Sequence, residues 1–589
     1  MSSSVKSLTS NKPGAASRPG ANDELNQQTL TVGLLAALAS VLAFAYCYSH
    51  SLLLLYGDAV AHLGIARRIT DSLHPGLVQL GSVWLPFPHL LMAPLAMRMS
   101  WWQNGIAGAL PSMVCYILSV IALFRLARLW LPPMGAVITV LFYGLNPGLL
   151  YMQTTAMGEP VYLAEMIASL LFVAMAIRAL REQEVRRAAQ SMIWLALTLV
   201  AAVFTRYDGW ILATLAWLFV AAAMVGSQSC AQMRVCLWRS RAGAAFAAMT
   251  ALVGASPLVW FWWNAHEFGD WLSFMRGPYS ARAIALRTTP VGAHPYPGWH
   301  NLGVAGLYYL KAATLGMVPN LLTWLLLLLA ILGTIAALRW FKGSALVPVL
   351  ALLWMPVPFY AWSVAYSWVP IFLPVWPPHS YYNTRYGMEM LPAFALLLGF
   401  FFAAAGVWVE RRGPKWAPLV ALVAICLAIL NAGAEMHATP LVLAEAEANA
   451  RTRIPYEAAF ARGLDQLPSY GEILAYTSAH VGAYERAGIP LHRTINEGDG
   501  MAWLHALEDP AQAAPFVIAE DDGPVARAIA AHPGGLRSLM VICSTGQPCV
   551  HFYRSTEVAL DGSIIEKPLS KRRNTDSIPL KSLVRKRKF

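Results

Sequence analysis

The chain has 589 residues, of which 57% are hydrophobic and only 13% charged, and its mean hydropathy of +0.50 is too apolar for a soluble protein. A net charge of +12 gathers in short joints and in the tail from Lys567 onward, which suits contact with anionic lipid or phosphate groups. No basic-aromatic stretch or known binding motif accompanies it, which argues against nucleic acid as a partner.

In chain order, residues 1–29 are polar and rich in Ser, Gly and Pro, which predicts a disordered cytoplasmic leader without a cleavable signal peptide. About 11 transmembrane helices follow, predicted at 30–54, 104–126, 132–152, 160–181, 189–205, 209–227, 242–264, 318–339, 344–366, 388–409 and 415–434. The basic joints, with Arg125 and Arg128, Arg178, Arg181, Arg186 and Arg187, Arg234, Arg239 and Arg241, Arg339 and Lys342, and Arg411, Arg412 and Lys415, all fall on one side. The positive-inside rule makes that side cytoplasmic. Asp58, Glu159, Asp208, the loops 265–317 and 367–387 and everything after Asn431 are then extracytoplasmic.

Asp58 follows the first span directly, in YGDAVAHLGIARRITD, a segment with the spacing of a half-buried surface helix: Ala59, Leu63, Ala66 and Ile69 repeat while Arg67, Arg68 and Asp71 face elsewhere. An ionisable group at the end of a span is expensive unless it has work to do. His62, four residues on, shares the face of Asp58, either orienting the carboxylate or sharing its polar edge. Glu159 in MGEP and Asp208 in TRYDGW bring two more acids to the same side of the membrane. Each also has a plain structural reading: Glu159 as a helix N-terminal charge before Pro160, and Asp208 as the partner of Arg206.

The loop 265–317 carries Arg276, Arg282 and Arg287 and is long enough to act as a lid, while His294 and His300 lack a third ligand at metal spacing. The loop 367–387 is dense in Pro, Trp and Tyr and ends in His379, Tyr381, Tyr382, Arg385 and Tyr386. Most of these aromatics read as an interfacial belt, but a guanidinium at the mouth of a bundle suits a phosphate, which it can fork in bidentate fashion. After Asn431 the composition is that of a soluble α/β domain, with a helix from Leu441 to Gly463 and a closing hairpin. Cys543 and Cys549 are spaced for a disulfide across that hairpin if the domain lies outside the cytoplasm.

An acid in the first outer loop, a surface helix behind it, further acids and Arg on the same face, an RY pair before a late span and an outer C-terminal domain together resemble the GT-C superfamily of membrane glycosyltransferases. The likeness is to bacterial relatives of protein O-mannosyltransferases and of lipid A aminoarabinose transferases. It implies a polytopic all-α membrane fold for the transferase module, which the composition places over 30–434, with the α/β domain expected outside over 435–560 and a basic tail over 561–589. It also implies residence in the bacterial inner membrane with the active site on the periplasmic side. The implied activity is inverting transfer of a sugar from a polyprenyl-phosphate donor to a lipid, glycan or protein acceptor. Asp58 matches the first-loop acid and Glu159 the second, as catalytic groups. Arg385 and Tyr386 resemble the pair that holds the donor phosphate, with Arg206 beside them and His62, Asp208 and Tyr382 in support. Gly57 and Ala59 flank a lone Asp58 where several relatives carry two acids, which favours chemistry without a metal or other cofactor. A transporter or lipid flippase is the rival reading; it predicts charges in mid-span and repeated, broken helices.

Overall fold

A computed structural model describes residues 21–226, 240–288, 292, 295–318, 321–341, 345–561 and 563. The residues 1–20 of the leader, Cys230, Arg234, Cys236, Arg239, His294, Lys342 and the tail from 564 onward lie outside the described residues.

Apolar runs become long helices because a chain in lipid must satisfy every backbone polar group within itself. Nine helices among the described residues are long and apolar enough to cross a membrane: Asn22–Ser49, Ile106–Arg128, Glu159–Arg181, Asp208–Gly226, Arg241–Phe268, Thr323–Trp340, Leu346–Tyr366, Thr384–Glu410 and Pro414–Leu464. The other two predicted spans are helices of different kinds. Residues 132–152 break at Asn146, which caps a new turn by accepting from the Leu149 amide, so that Pro133–Gly144 is followed by a separate Pro147–Met152. Residues 189–205 form Val185–Val203, an amphipathic helix beginning with Arg186 and Arg187. The chain is a multi-pass, almost all-helical membrane protein with a small C-terminal sheet.

Two helices lie at the centre of the bundle. The most apolar stretch is 83% buried in Glu159–Arg181 and 72% buried in Thr384–Glu410, against 22% in Asn22–Ser49, whose Leu34, Leu35, Leu38 and Leu42 point outward as a lipid-facing helix should. Glu159 and Arg385 therefore stand at the ends of the two most enclosed spans. The charged ends are sorted. Arg125 and Arg128, Arg178 and Arg181, and Arg339 close their helices in the last turn, while Glu159 and Asp208 open theirs in the first, in keeping with the helix dipole.

The segment read as a single loop, 265–317, contains a 16-residue helix, Leu302–Met317, capped by Asn301 through the Val304 amide. It buries Tyr308 and Tyr309 and packs against Pro356–Tyr366 and the 3-10 turn Thr384–Met390.

The described chain divides into two compact units, the first being Met1–Asp465 with Ser478–His492 and Ser544–Gln547. The helix Leu441–Leu464, which follows the sequence boundary at 434, groups with this first unit. The second holds a five-stranded sheet with strands β1 Ile473–Ala475, β2 Thr494–Ile495, β3 Phe516–Glu520, β4 Leu536–Ile542 and β5 Val550–Ser555, in the order β2-β1-β3-β5-β4. β1 runs parallel to β2 and β3, whereas β5 is antiparallel to both β3 and β4. FVIAE takes the central position because Phe516, Val517, Ile518 and Ala519 are apolar on both faces of the strand. Cys543 and Cys549 are disulfide-bonded just past β4 and before β5.

Candidate active site

All the residues of the site lie in the first unit. Asp58 sits in the first turn of the helix Gly57–Arg68, straight after the first span. Ala59, Leu63 and Ala66 bury one side of that helix, as their spacing predicts. Arg67 and Asp71 do not face elsewhere: both are buried, Arg67 Nε and Nη2 meet Asp71 Oδ2 at 2.7 and 2.6 Å, and Nη1 donates to the carbonyls of Ala96 and Met97. Helical periodicity assigns charges to solvent, but a fully partnered pair can be enclosed.

Arg385 lies in the 3-10 turn Thr384–Met390, and its guanidinium spends each nitrogen on a different carboxylate. Nη2 donates to Asp58 at 2.7 Å, Nε to Glu159 at 3.0 Å and Nη1 to Glu445 at 3.1 Å. The acid and the guanidine, 327 residues apart in sequence, thus form one ion pair. Their surroundings differ: the Asp58 side chain is 44% exposed, whereas those of Arg385, Glu159 and Glu445 are 9%, 3% and 0%. Asp58 is the face of the cluster that water reaches.

A second guanidinium stands behind the first. Arg206 Nη1 donates to Glu159 at 3.2 Å, to the same Oε1 that Arg385 uses, so Glu159 bridges the two cations. Arg206 also meets Asp208 at 3.4 Å and Glu389 at 3.5 Å, and donates to the Tyr360 hydroxyl at 2.6 Å. Tyr360 Oη lies 3.1 Å from Asp208 and 2.6 Å from Glu389. The Tyr386 ring is shared by both cations, 5.0 Å from Arg206 and 5.1 Å from Arg385, and stacks on Tyr360 at 5.0 Å. Tyr382 is half-exposed, its backbone bridged to Phe372.

Three members of this network are not among the residues singled out from the sequence. Glu445 accepts from the amides of Asn383 and Thr384, each at 2.9 Å, and from the Thr384 hydroxyl at 2.5 Å, pinning the turn that carries Arg385. In LVLAEAEANA it reads as one acid on an ordinary solvated helix. Glu389 does carry a signal, a carboxylate four residues after Arg385 at the mouth of an apolar run. Tyr360 carries none. Of the two readings of His62, orienting the Asp58 carboxylate finds no hydrogen bond to support it. The Nδ1 of His62 is 2.7 Å from His89 Nε2, and its ring packs against Trp84 at 4.3 Å. Burial, and then the charges of Arg385 and Arg206, push its pKa down to about 3, so the imidazole is neutral.

Chemically, two guanidiniums face five carboxylates, Asp58, Glu159, Asp208, Glu389 and Glu445. Burying such charges stabilises a fold little, because desolvation offsets the Coulomb attraction. Among the described residues, no group of three or more His, Cys, Asp or Glu side chains is arranged to hold a metal ion.

The helical bundle, followed in sequence by a small mixed sheet near the C-terminus, has a GT-C-like fold. In particular, ArnT from Cupriavidus metallidurans bound to undecaprenyl phosphate superposes with a TM-score of 0.52 and 13% identity, over 87% of this chain and 97% of that one. Its apo structure gives 0.50 and 14%, over 88% and 98%. At these identities the likeness is one of fold. No family model matches the chain, and no curated protein does.

Proposed function

We propose that the chain is an inverting glycosyltransferase that takes a sugar from a polyprenyl-phosphate donor and passes it to a hydroxyl of a lipid, glycan or protein acceptor on the extracytoplasmic face. The observation that carries this reading is the 2.7 Å pair between half-exposed Asp58 and enclosed Arg385, within a fold also found in an enzyme crystallised with undecaprenyl phosphate.

Glycosyl transfer needs a base for the acceptor proton and a cation for the departing phosphate. Every nitrogen of Arg385 is already occupied, and Asp58 is the one accessible partner. Donor phosphate would take the place of the Asp58 carboxylate on Nη2, leaving Nε and Nη1 held by Glu159 and Glu445. The same exchange releases Asp58 from its cation and makes it a better proton acceptor. The acceptor oxygen then attacks the anomeric carbon as its proton passes to Asp58. The bond from that carbon to the phosphate oxygen breaks, and the phosphate departs with the electron pair beside Arg385. Glu159, enclosed and shared by both guanidiniums, orients them, and Tyr386 keeps them apart. Arg206, backed by Asp208, Glu389 and Tyr360, adds positive charge behind the leaving group.

General-base help is worth ~100- to 10,000-fold. Asp58→Asn in the purified full chain is therefore expected to lower release of labelled sugar from its polyprenyl-phosphate donor by that factor. A rate within a few-fold of the native protein would reject the role of Asp58.

A further inference from the structure

One polar cluster stands beside the charged centre without belonging to it. His62 lies one helical turn after Asp58, His89 on the short helix Phe87–Ala96, and Trp84 just before that helix. The two imidazoles are in hydrogen-bond contact, Nδ1 of His62 to Nε2 of His89, at 2.7 Å. Trp84 is 4.3 Å from the His62 ring and 6.4 Å from that of His89, centroid to centroid.

One arrangement of the ring protons suits these contacts. His89 is fully enclosed, and its Nδ1 makes no well-aligned hydrogen bond; the carbonyl it senses is that of Leu85, one turn earlier. A proton on that nitrogen leaves His89 Nε2 bare, so it accepts from the Nδ1–H of His62. The outer nitrogen of His62, Nε2, then carries a lone pair. It bonds no protein group among the described residues, and His62 as a whole is half-buried rather than fully enclosed. Both rings stay uncharged, since burial first and the neighbouring cations second disfavour the imidazolium of His62.

A neutral ring held by a second, enclosed ring is a fixed hydrogen-bond acceptor rather than a strong base. Side chains four apart on a helix stand ~5–6 Å apart, about the width of one sugar ring. We propose that His62 Nε2 accepts a hydrogen bond from a hydroxyl of the donor sugar while the phosphate of that donor is held at Arg385, with His89 fixing the imidazole and the half-buried Trp84 ring flanking the sugar. This inference rests on the transferase reading above and names a specificity-determining contact within it. His62 would touch substrate; His89 acts through His62 and is a positioning residue.

The test uses the purified full chain in detergent with undecaprenyl phosphate and with undecaprenyl phosphate bearing mannose, glucose or aminoarabinose. The native protein is expected to bind at least one sugar-bearing lipid more tightly than the bare one. In His62→Ala that preference should fall about five- to tenfold, the weight of one hydrogen bond, while affinity for bare undecaprenyl phosphate stays within twofold. His62→Gln, which keeps an acceptor oxygen, should retain part of the preference, and His89→Phe, which frees the ring, should lose part. An unchanged preference in His62→Ala, or equal loss of bare and sugar-bearing lipid, overturns the inference and leaves the transferase reading standing. So does a native chain that holds the bare lipid but prefers no sugar. A native chain that binds none of these lipids overturns both.

Discussion

Arg206 shows at the scale of one residue why the charged centre is built for work rather than for stability. Its guanidinium serves Glu159, Asp208, Glu389 and Tyr360, and its side chain is 17% exposed. Removing one partner of an enclosed ion pair leaves an uncompensated charge and costs about 3–5 kcal/mol, against about 1–3 kcal/mol for an unpaired neutral group. Arg206→Met should therefore lower the thermal unfolding temperature clearly more than Tyr360→Phe; equal losses would mean that the carboxylates are neutral in the folded protein. A second residue sets a dependence on pH. Burial raises the pKa of Asp71, but hydrogen bonds from His492, with Arg67 beside them, outweigh it and hold the carboxyl below its usual range. A depressed carboxyl contributes stability above its unfolded pKa of ~3.9, and that contribution is lost as pH falls through the folded value. Asp71→Asn should thus unfold at a lower temperature than the native chain at pH 7, with the gap closing below about pH 4. A gap that is constant with pH would contradict this.

At the scale of elements, the position of Arg385 depends on how closely its turn approaches a neighbour. A Cβ at Gly387 would lie 2.5 Å from the Ala313 amide nitrogen and 2.7 Å from the Ala312 carbonyl carbon, backbone atoms of the helix Leu302–Met317 that cannot move aside cheaply. Gly387→Ala should push the Thr384–Met390 turn off that helix and weaken donor binding at least tenfold even in protein that remains folded. Native affinity in this variant would show that the turn shifts without carrying Arg385 along. The helix against which Gly387 packs was not legible: LGVAGLYYLKAATLGM is too short for a span and carries Lys311, so it reads as part of a loop. Nine of the eleven expected spans were legible because lipid demands long unbroken apolar helices, and the basic joints alone led Asp58, Glu159 and Arg385 to be expected on one side. What composition cannot give is which polar groups meet. Glu445 reaches Arg385 through tertiary packing, and Thr494–Ile495 becomes a strand only by pairing with Ile473 and Leu474.

For the whole molecule, the reading requires the C-terminal sheet, with its Cys543–Cys549 disulfide, to lie on an oxidising side of the membrane. In intact cells, a membrane-impermeant maleimide should label these two cysteines only after treatment with a reductant. Labelling without reduction, or none after it, would put that sheet on the other side or the pair in another state. The same reading demands that a lipid phosphate reach Arg385, which a flippase with a path elsewhere through the bundle does not. The most direct measurement is a cryo-EM map of the full chain with undecaprenyl phosphate. The account predicts phosphate density within about 3 Å of Arg385 Nη2, with the Asp58 carboxylate turned away from the guanidinium. Phosphate bound elsewhere, with the Asp58–Arg385 pair intact, would contradict it.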